Sequence, residues 1–360
     1  MRLIIIDRYI IRKFITTYFF ALLLIIGIVI IFDISEKIDD FVSKEAPLRA
    51  IVVNYYLNFI PFFVNMFSPL FVFITVIFFT SKLAANSEII AMLSGGISFK
   101  RLMVPYLVSA LVIAAFSLTL NLFVIPPANK NRLIFEERYI RKPSANLNRN
   151  IHFQLEPNVF IYMESFRNWD NTAQRFTLER FEGNRLVSKL SAESAAWDST
   201  IMGWRLNNYY IRHIEEDYER LEQGLRRDTI LDFTAAELKQ RKGAVEALNY
   251  FELNQEIDKL KMRGDDRVKL AQVQKNTRVA VPFSAFILTL MGVSLSSKKR
   301  RGGIGLNIGI GIALSFTYIL FLRFSEMFVR GDVLSPAVAL WVPNMVFAVV
   351  AAVLYRLAPK

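Results

Sequence analysis

Few side chains in this 360-residue chain are placed to do chemistry, and most of them can be assigned a modest role from their surroundings. Cysteine is absent, which removes thiol nucleophiles, thiolate metal sites and disulfides. His152 and His213 lie in stretches of alternating apolar residues without metal-ligand spacing, so surface positions on strands account for both. Glu156, Glu164 and Asp170 are scattered carboxylates that form no acid–base motif. No G-x-x-x-x-G-K-[ST] occurs, so the chain has no P-loop for ATP hydrolysis. The glycine-rich run GGIGLNIGIG at 302–311 follows no strand pattern and lacks dinucleotide-loop spacing. What remains is Glu88, a lone acid in ANSEIIAMLSGGIS (85–98). Asn86 or Ser87 is expected to cap a short helix there, and Glu88 then sits in its first turn, where the dipole favours a carboxylate. Ile89, Ile90, Met92 and Leu93 supply an apolar face, and Gly95–Gly96 end the helix. The plain alternative is an interfacial helix that Glu88 merely caps; the functional one is a knob that enters a groove on a partner carrying a basic group.

The elements around that helix are greasy. Hydrophobic residues make up 53% of the chain, Phe alone supplying 31, and six stretches lack charge for the roughly 20 residues that cross hydrocarbon. They are 14–32, 50–80, 102–125, 279–297, 302–322 and 333–355, and the second, with Pro61 and Pro69 inside it, reads as a kinked or tilted helix with an interfacial lead-in. The expected fold class is therefore a polytopic α-helical membrane protein of six spans (3+3) with an inserted extracytoplasmic all-β, jellyroll-like domain. Residues 1–32 read as an uncleaved first span, since no small-x-small site follows the apolar core.

The formal net charge of +12 raises nucleic acid as a partner, and its distribution argues against one. The insert 126–278 is nearly balanced. The excess flanks the spans: Arg2, Arg8, Arg12, Lys13, Lys82, Lys100, Arg101, Lys298, Lys299, Arg300, Arg301, Arg356 and Lys360 fall on one side, with only Asp7 and Glu88 against them. Asp33, Glu36, Asp39, Asp40, Glu45, Glu326 and Asp332 fall on the other. By the positive-inside rule both termini and the Glu88 helix are cytoplasmic.

The domains expected are a first transmembrane half (1–125), a periplasmic β domain (126–245), a helical connector (246–278) and a second transmembrane half (279–360). Four runs of the insert alternate: NVFIYMESF, RFTLERF, RLVSKLSAESAAWD and GWRLNNYYIRHI, punctuated by EGN (182–184) and DST (198–200). The period turns helical near TAAELKQ and YFELNQEIDKLKMRG. Gly305, Gly309 and Ala313 recur every four residues in span five, which suits either ordinary packing within the chain or a lateral-gate face that slides and separates. Asn65, Asn121 and Asn307 are the amides near span positions, explained by bonds between helices. No carboxylate lies near a span's middle, so an ion-driven carrier is disfavoured and a transporter of this kind needs an outside motor.

DRYIIRKFITT (7–17), SEIIAMLSGGIS (87–98) and LNYFELNQEIDKLKMRG…TRVAVPF (248–283), in that order around a 3+3 arrangement, resemble the lipopolysaccharide-export permease family LptF/LptG (YjgP/YjgQ) over essentially the whole chain. The loop fits the family's S-E-x-x-x-M-x-x-x-G-x-[ST] pattern, and the DRY start leans toward LptG. The resemblance implies a permease subunit of an ABC transporter, without its own ATPase motif or bound cofactor, in the bacterial inner membrane. It implies a sister permease, two copies of a cytosolic ATPase that uses ATP, a periplasmic β-jellyroll bridge protein, and lipopolysaccharide entering between spans one and five. Ser87, Glu88, Ile89, Met92 and Gly96 would form the coupling site. The chain departs from the family after span one, where FDISEKIDD leaves Lys37 as the only cation. Lipid phosphates would then be met by Lys37, Arg49, Arg323 or the sister subunit, or the lipid is less anionic, or divalent cations bridge. Two other classes compete: a membrane-anchored glycolipid-modifying enzyme, which needs a catalytic cluster on the insert, and a scaffold, which leaves the Glu88 helix unexplained.

Overall fold

The computed structural model describes residues 5–140, 148–215, 218–238, 243–265, 267–298, 303–331 and 333–358. Arg2, Lys299, Arg300, Arg301, Asp332 and Lys360 lie outside them, as does part of TAAELKQ. The chain divides into two compact units. One comprises Met1–Ile140, Val245–Leu253 and Lys269–Lys360; the other comprises Arg141–Ala244 and Asn254–Val268.

The first unit is helical. Its long helices are α1 (Ile5–Ser43), α2 (Leu48–Ala85), α4 (Phe99–Tyr139), α7 (Arg267–Ser296), α8 (Gly303–Arg330) and α9 (Pro336–Leu357), with the short α3 (Glu88–Ser94) between α2 and α4. All six long ones are apolar enough to cross a membrane. They extend past the charge-free stretches, because a helix satisfies its own backbone and need not stop at the hydrocarbon boundary. The expected lead-in of the second span is a wider π-helical turn over Ile51–Tyr56, and a second such turn interrupts α4 at Leu120–Val124.

A shared core joins these helices. Ile10, Phe14, Tyr18 and Leu22 of α1 are buried along one i, i+4 row. They belong to the same cluster as Val72, Phe73 and Val76 of α2, Met103 and Tyr106 of α4, and Leu288 and Met291 of α7. At Gly292 of α7 a Cβ would lie 2.8 Å from Val76 Cγ1 and 3.2 Å from Phe73 Cδ2, so only glycine permits this approach. The span amides bond between helices, as expected. Asn65 and Asn121 exchange side-chain bonds of 3.0 and 3.1 Å, Ser117 donates to Asn65 at 2.6 Å, and Asn307 donates to Ser81 at 3.0 Å.

The second unit is built on one six-stranded antiparallel sheet: β1 (Asn148–Glu156), β2 (Val159–Arg167), β3 (Thr172–Glu182), β4 (Arg185–Asp198), β5 (Gly203–Ile214) and β6 (Glu219–Thr229). The four alternating runs are β2 to β5. β1 and β6 are additional; β6 buries neither face fully, so it carries little alternation to read. Strand order is sequential, a meander in place of the crossovers of a two-sheet jellyroll. The links from β1 through β5 are short turns, and Asn158 and Asn171 supply positive φ at two of them. Trp204 is fully buried on the inner face, stacks on Phe233 at 4.8 Å between centroids and donates from Nε1 to the Phe233 carbonyl at 3.0 Å. Beside it lie Ala235 and Leu238 of α5 (Ala235–Leu238). Further along, Glu237 bonds Lys259 of α6 (Tyr250–Met262) at 2.8 Å and Arg263 at 2.6 Å.

Candidate functional site

Residues 86–98 carry the chain between two spans through the short helix α3 (Glu88–Ser94). Chain turning begins at Ser87, which adopts the left-handed conformation (φ 61°) and makes no side-chain capping bond. The expected Asn86 or Ser87 cap is thus corrected. Ser87 takes the left-handed backbone without a side-chain bond to the first turn, and Asn86 spends its Nδ2 donating to the Glu88 carboxylate at 3.2 Å. The other end follows expectation closely. Gly96 takes φ +86°, Ile97 N–H donates to the Met92 carbonyl at 3.1 Å, and Gly96 N–H donates to the Leu93 carbonyl at 3.1 Å. That is a complete Schellman stop, and the left-handed position accounts for the glycine.

The helix has a clear inside and outside. Ile89 is 1% exposed and belongs to the main core, with Met92 and Leu93 packed partly against it. Ile90 is 51% exposed, so the expected four-residue apolar face divides: three residues anchor the helix and Ile90 points out. Glu88 is half-buried, with Lys82 and Lys100 exposed nearby in sequence. The Tyr9 hydroxyl of α1 interacts with the Glu88 carboxylate, and the Tyr9 ring meets Phe79 edge-on at 6.5 Å. Arg101, one of the cations expected around Glu88, is instead committed to Asp7. Its two terminal nitrogens donate to the two carboxylate oxygens at 2.7 and 2.5 Å. Asp7 and Tyr9 are separated by 94 and 79 residues from the groups they meet only through folding, and sequence reading missed both. The one available signal was a lone acid, Asp7, in an otherwise basic N-terminus.

At the opposite end of the helical unit, the three expected phosphate-binding cations are placed differently. Lys37 is held by Asp33 and by the Tyr55 hydroxyl. Tyr55 and Tyr56 both donate to Asp33, at 3.3 and 3.1 Å. The π-helical turn turns these two successive side chains toward the same carboxylate, within an aromatic cluster of Phe41, Phe59 and Phe135. Arg323 donates to both oxygens of Glu326, at 3.1 and 3.0 Å. Arg49 is exposed and has no acidic partner among the described residues; it lines a shallow hollow with Pro47, Val53 and Asn54.

The glycine stripe of span five meets nothing among the described residues. Gly305, Gly309 and Ala313 are exposed, and nothing lies within 4 Å of a Cβ built on either glycine. The buried row of α8 is Asn307, Gly311, Ser315 and Tyr318, and it is Gly311 that abuts Ile77 of α2. The reading of Gly305 and Gly309 as intramolecular contacts is overturned, because the helix is rotated to bury the row two residues on. Of the six spans, the first and fifth bury the smallest share of their apolar windows, 22% each against 33% to 72% for the rest. These two helices leave the most apolar surface for lipid or another chain.

The chain matches the family model described as "Lipopolysaccharide export system permease LptF/LptG" over residues 8–357. No curated protein matches the chain.

Proposed function

The chain belongs to the lipopolysaccharide export system permease family LptF/LptG, and on that premise we propose that it is the half of an ATP-driven lipid exporter that converts ATPase motion into lipid extraction. The observation that carries the reading is α3. It is a helix of seven residues anchored by Ile89, terminated by Gly96 and presenting Ile90 outward beside the half-buried Glu88 between two spans. A rigid apolar knob with one carboxylate suits a groove with a basic rim on a cytosolic ATPase. Ser87 and Met92 set its entry and its seat. Two ATPase copies would serve this chain and a sister permease, with the termini and α3 cytoplasmic as the charge bias indicates.

The exposed faces of α1 and α8 would meet the sister permease and border the lipid's entrance. Gly305, Gly309 and Ala313 allow close approach when shut and leave no polar group stranded when open. Arg49 is the cation readiest to meet a lipid phosphate, since Lys37 and Arg323 must first exchange Asp33 and Glu326. The lipid then passes by way of the periplasmic sheet domain to a β-jellyroll bridge protein. Strand β6 supports that step: it ends the sheet with Leu221 59% and Leu225 83% exposed, an edge ready for strand addition. The DRY start favours the LptG role over LptF.

The test is reconstitution of the chain with a sister permease and the ATPase in liposomes loaded with lipopolysaccharide. ATP-dependent release to an acceptor is expected. Failure of any cytosolic ATPase to associate with the chain, with no release, would reject the reading.

A further inference from the structure

The buried row of α1 includes Ile10, Phe14, Tyr18 and Leu22, whose apolar contacts are non-directional. Directional bonds tie α1 to α2, from the Tyr18 hydroxyl to Ser68 at 2.6 Å and from Tyr55 and Tyr56 to Asp33, and α1 is one of the two least buried spans. A further directional contact, to α4, is needed if α1 is to move with the loop. At the α3 end Asp7 makes that contact. Its residue is 3% exposed, and both carboxylate oxygens are taken by the guanidinium fork of Arg101. A planar bidentate pair fixes orientation as well as distance. Burying a carboxylate costs desolvation that an apolar residue would avoid, so the pair is poorly explained as a stabiliser alone.

Arg101 is itself rigidly tied to the loop. It lies in the first turn of α4, its N–H donating to the capping hydroxyl of Ser98 at 3.3 Å, two residues beyond Gly96. Ile97, between them, lines a void of about 40 Å³ together with Ile6, Asp7, Ile10 and Leu102. On the other flank of α3, Tyr9 meets Glu88. The first turns of α1 are thus gripped on both sides of the loop helix.

We infer that Asp7 and Arg101 are a positioning pair: the bidentate clamp makes the first span turn with the α3 loop, delivering to α1 the motion that the loop receives. The inference rests on the exporter reading above. In it the ATPase pushes α3, α3 carries the start of α4, and the Arg101 fork carries Asp7 and with it the span bordering the lipid entrance. Glu88 is the point of input and Asp7 the point of output.

The test uses the reconstituted exporter and reads three quantities: ATPase association, ATP hydrolysis, and lipid released per ATP. Asp7→Asn keeps the shape and removes the charge; Arg101→Lys keeps the charge and removes the fork. Both are expected to retain association and hydrolysis while lipid per ATP falls about tenfold, within the roughly 5–150-fold range of coupling between sites. The exchanged pair, Asp7→Arg with Arg101→Asp, is expected to recover much of the ratio. Lipid per ATP unchanged in both single variants, or reduced only in proportion to lost association, overturns the inference in favour of a fold-supporting bridge. A measurement on the unaltered clamp guards against misfolded variants. Spin labels at Arg12→Cys and Lys100→Cys, both exposed on a chain with no native cysteine, should keep one distance through the ATP cycle. A distance that changes on ATP binding overturns the clamp while leaving the exporter reading intact. An unaltered chain that neither binds an ATPase nor releases lipid removes both.

Discussion

Truncating Glu88 to alanine separates a cap from a contact. Within the chain, Glu88 accepts one bond from Asn86 at 3.2 Å and interacts with Tyr9. Losing a solvent-accessible bond of this kind costs about 0.5–1.5 kcal/mol, and losing a carboxylate from a helix's first turn costs about 0.3–1 kcal/mol. The helix survives that, because Ile89 is buried in the core and the Gly96 stop involves none of these atoms. At an interface the balance differs. Truncating one member of a desolvated charge pair costs about 2–5 kcal/mol, which weakens association roughly 30-fold to several thousand-fold. Expected, then, is a protein that inserts and melts nearly as wild type while its affinity for the ATPase collapses. Glu88→Gln, which keeps shape and polarity, should fall almost as far. The assay is titration of labelled ATPase onto the chain in nanodiscs, with thermal melting alongside. Wild-type affinity and lipid release in both variants would refute the coupling role and leave Glu88 a helix cap.

Further outcomes follow from single contacts. Gly292→Ala should destabilise by about 1–3 kcal/mol through overpacking against Val76 and Phe73, whereas Gly309→Ala, which meets nothing within 4 Å, should leave the melting temperature of the isolated chain unchanged. Gly309→Leu is expected to impair association with the sister permease, read by co-purification. Trp204→Ala should cost the sheet domain about 3–5 kcal/mol, since the ring is fully buried, stacked and bonded; limited proteolysis would follow it. Burial pushes the Glu237 carboxyl up, but bonds from Lys259 and Arg263 outweigh it and hold its pKa below the ordinary value. Its contribution is therefore present above the unfolded carboxylate's pKa and lost as pH falls through the folded one, so Glu237→Gln should lower thermal stability at pH 7 and converge with wild type in acid. Cysteines at Asn184 and Lys100 should be labelled by an impermeant reagent from opposite sides of the membrane; labelling of both from one side would contradict the orientation.

Much of the architecture was legible in the residues. Six spans follow from uninterrupted apolar length, since backbone groups in hydrocarbon must be satisfied within each helix. The stop at Gly96 follows from the one residue that enters the left-handed region without strain, and β2 to β5 follow from alternation on a half-buried sheet. These are local properties, decided by neighbours along the chain. What the sequence left open was decided by how each helix is rotated about its axis. A span is apolar all round, so its sequence carries no amphipathic stripe to say which face turns inward. Only the tertiary structure could show that α8 buries Gly311 and turns Gly305 and Gly309 outward, or that a π-helical turn brings Tyr55 and Tyr56 together onto Asp33. The same holds for Arg101, five residues past Gly96 and 94 from Asp7, whose choice of carboxylate depended on where α1 lies beside α4. Length and alternation along the chain chose the elements; packing chose the partner.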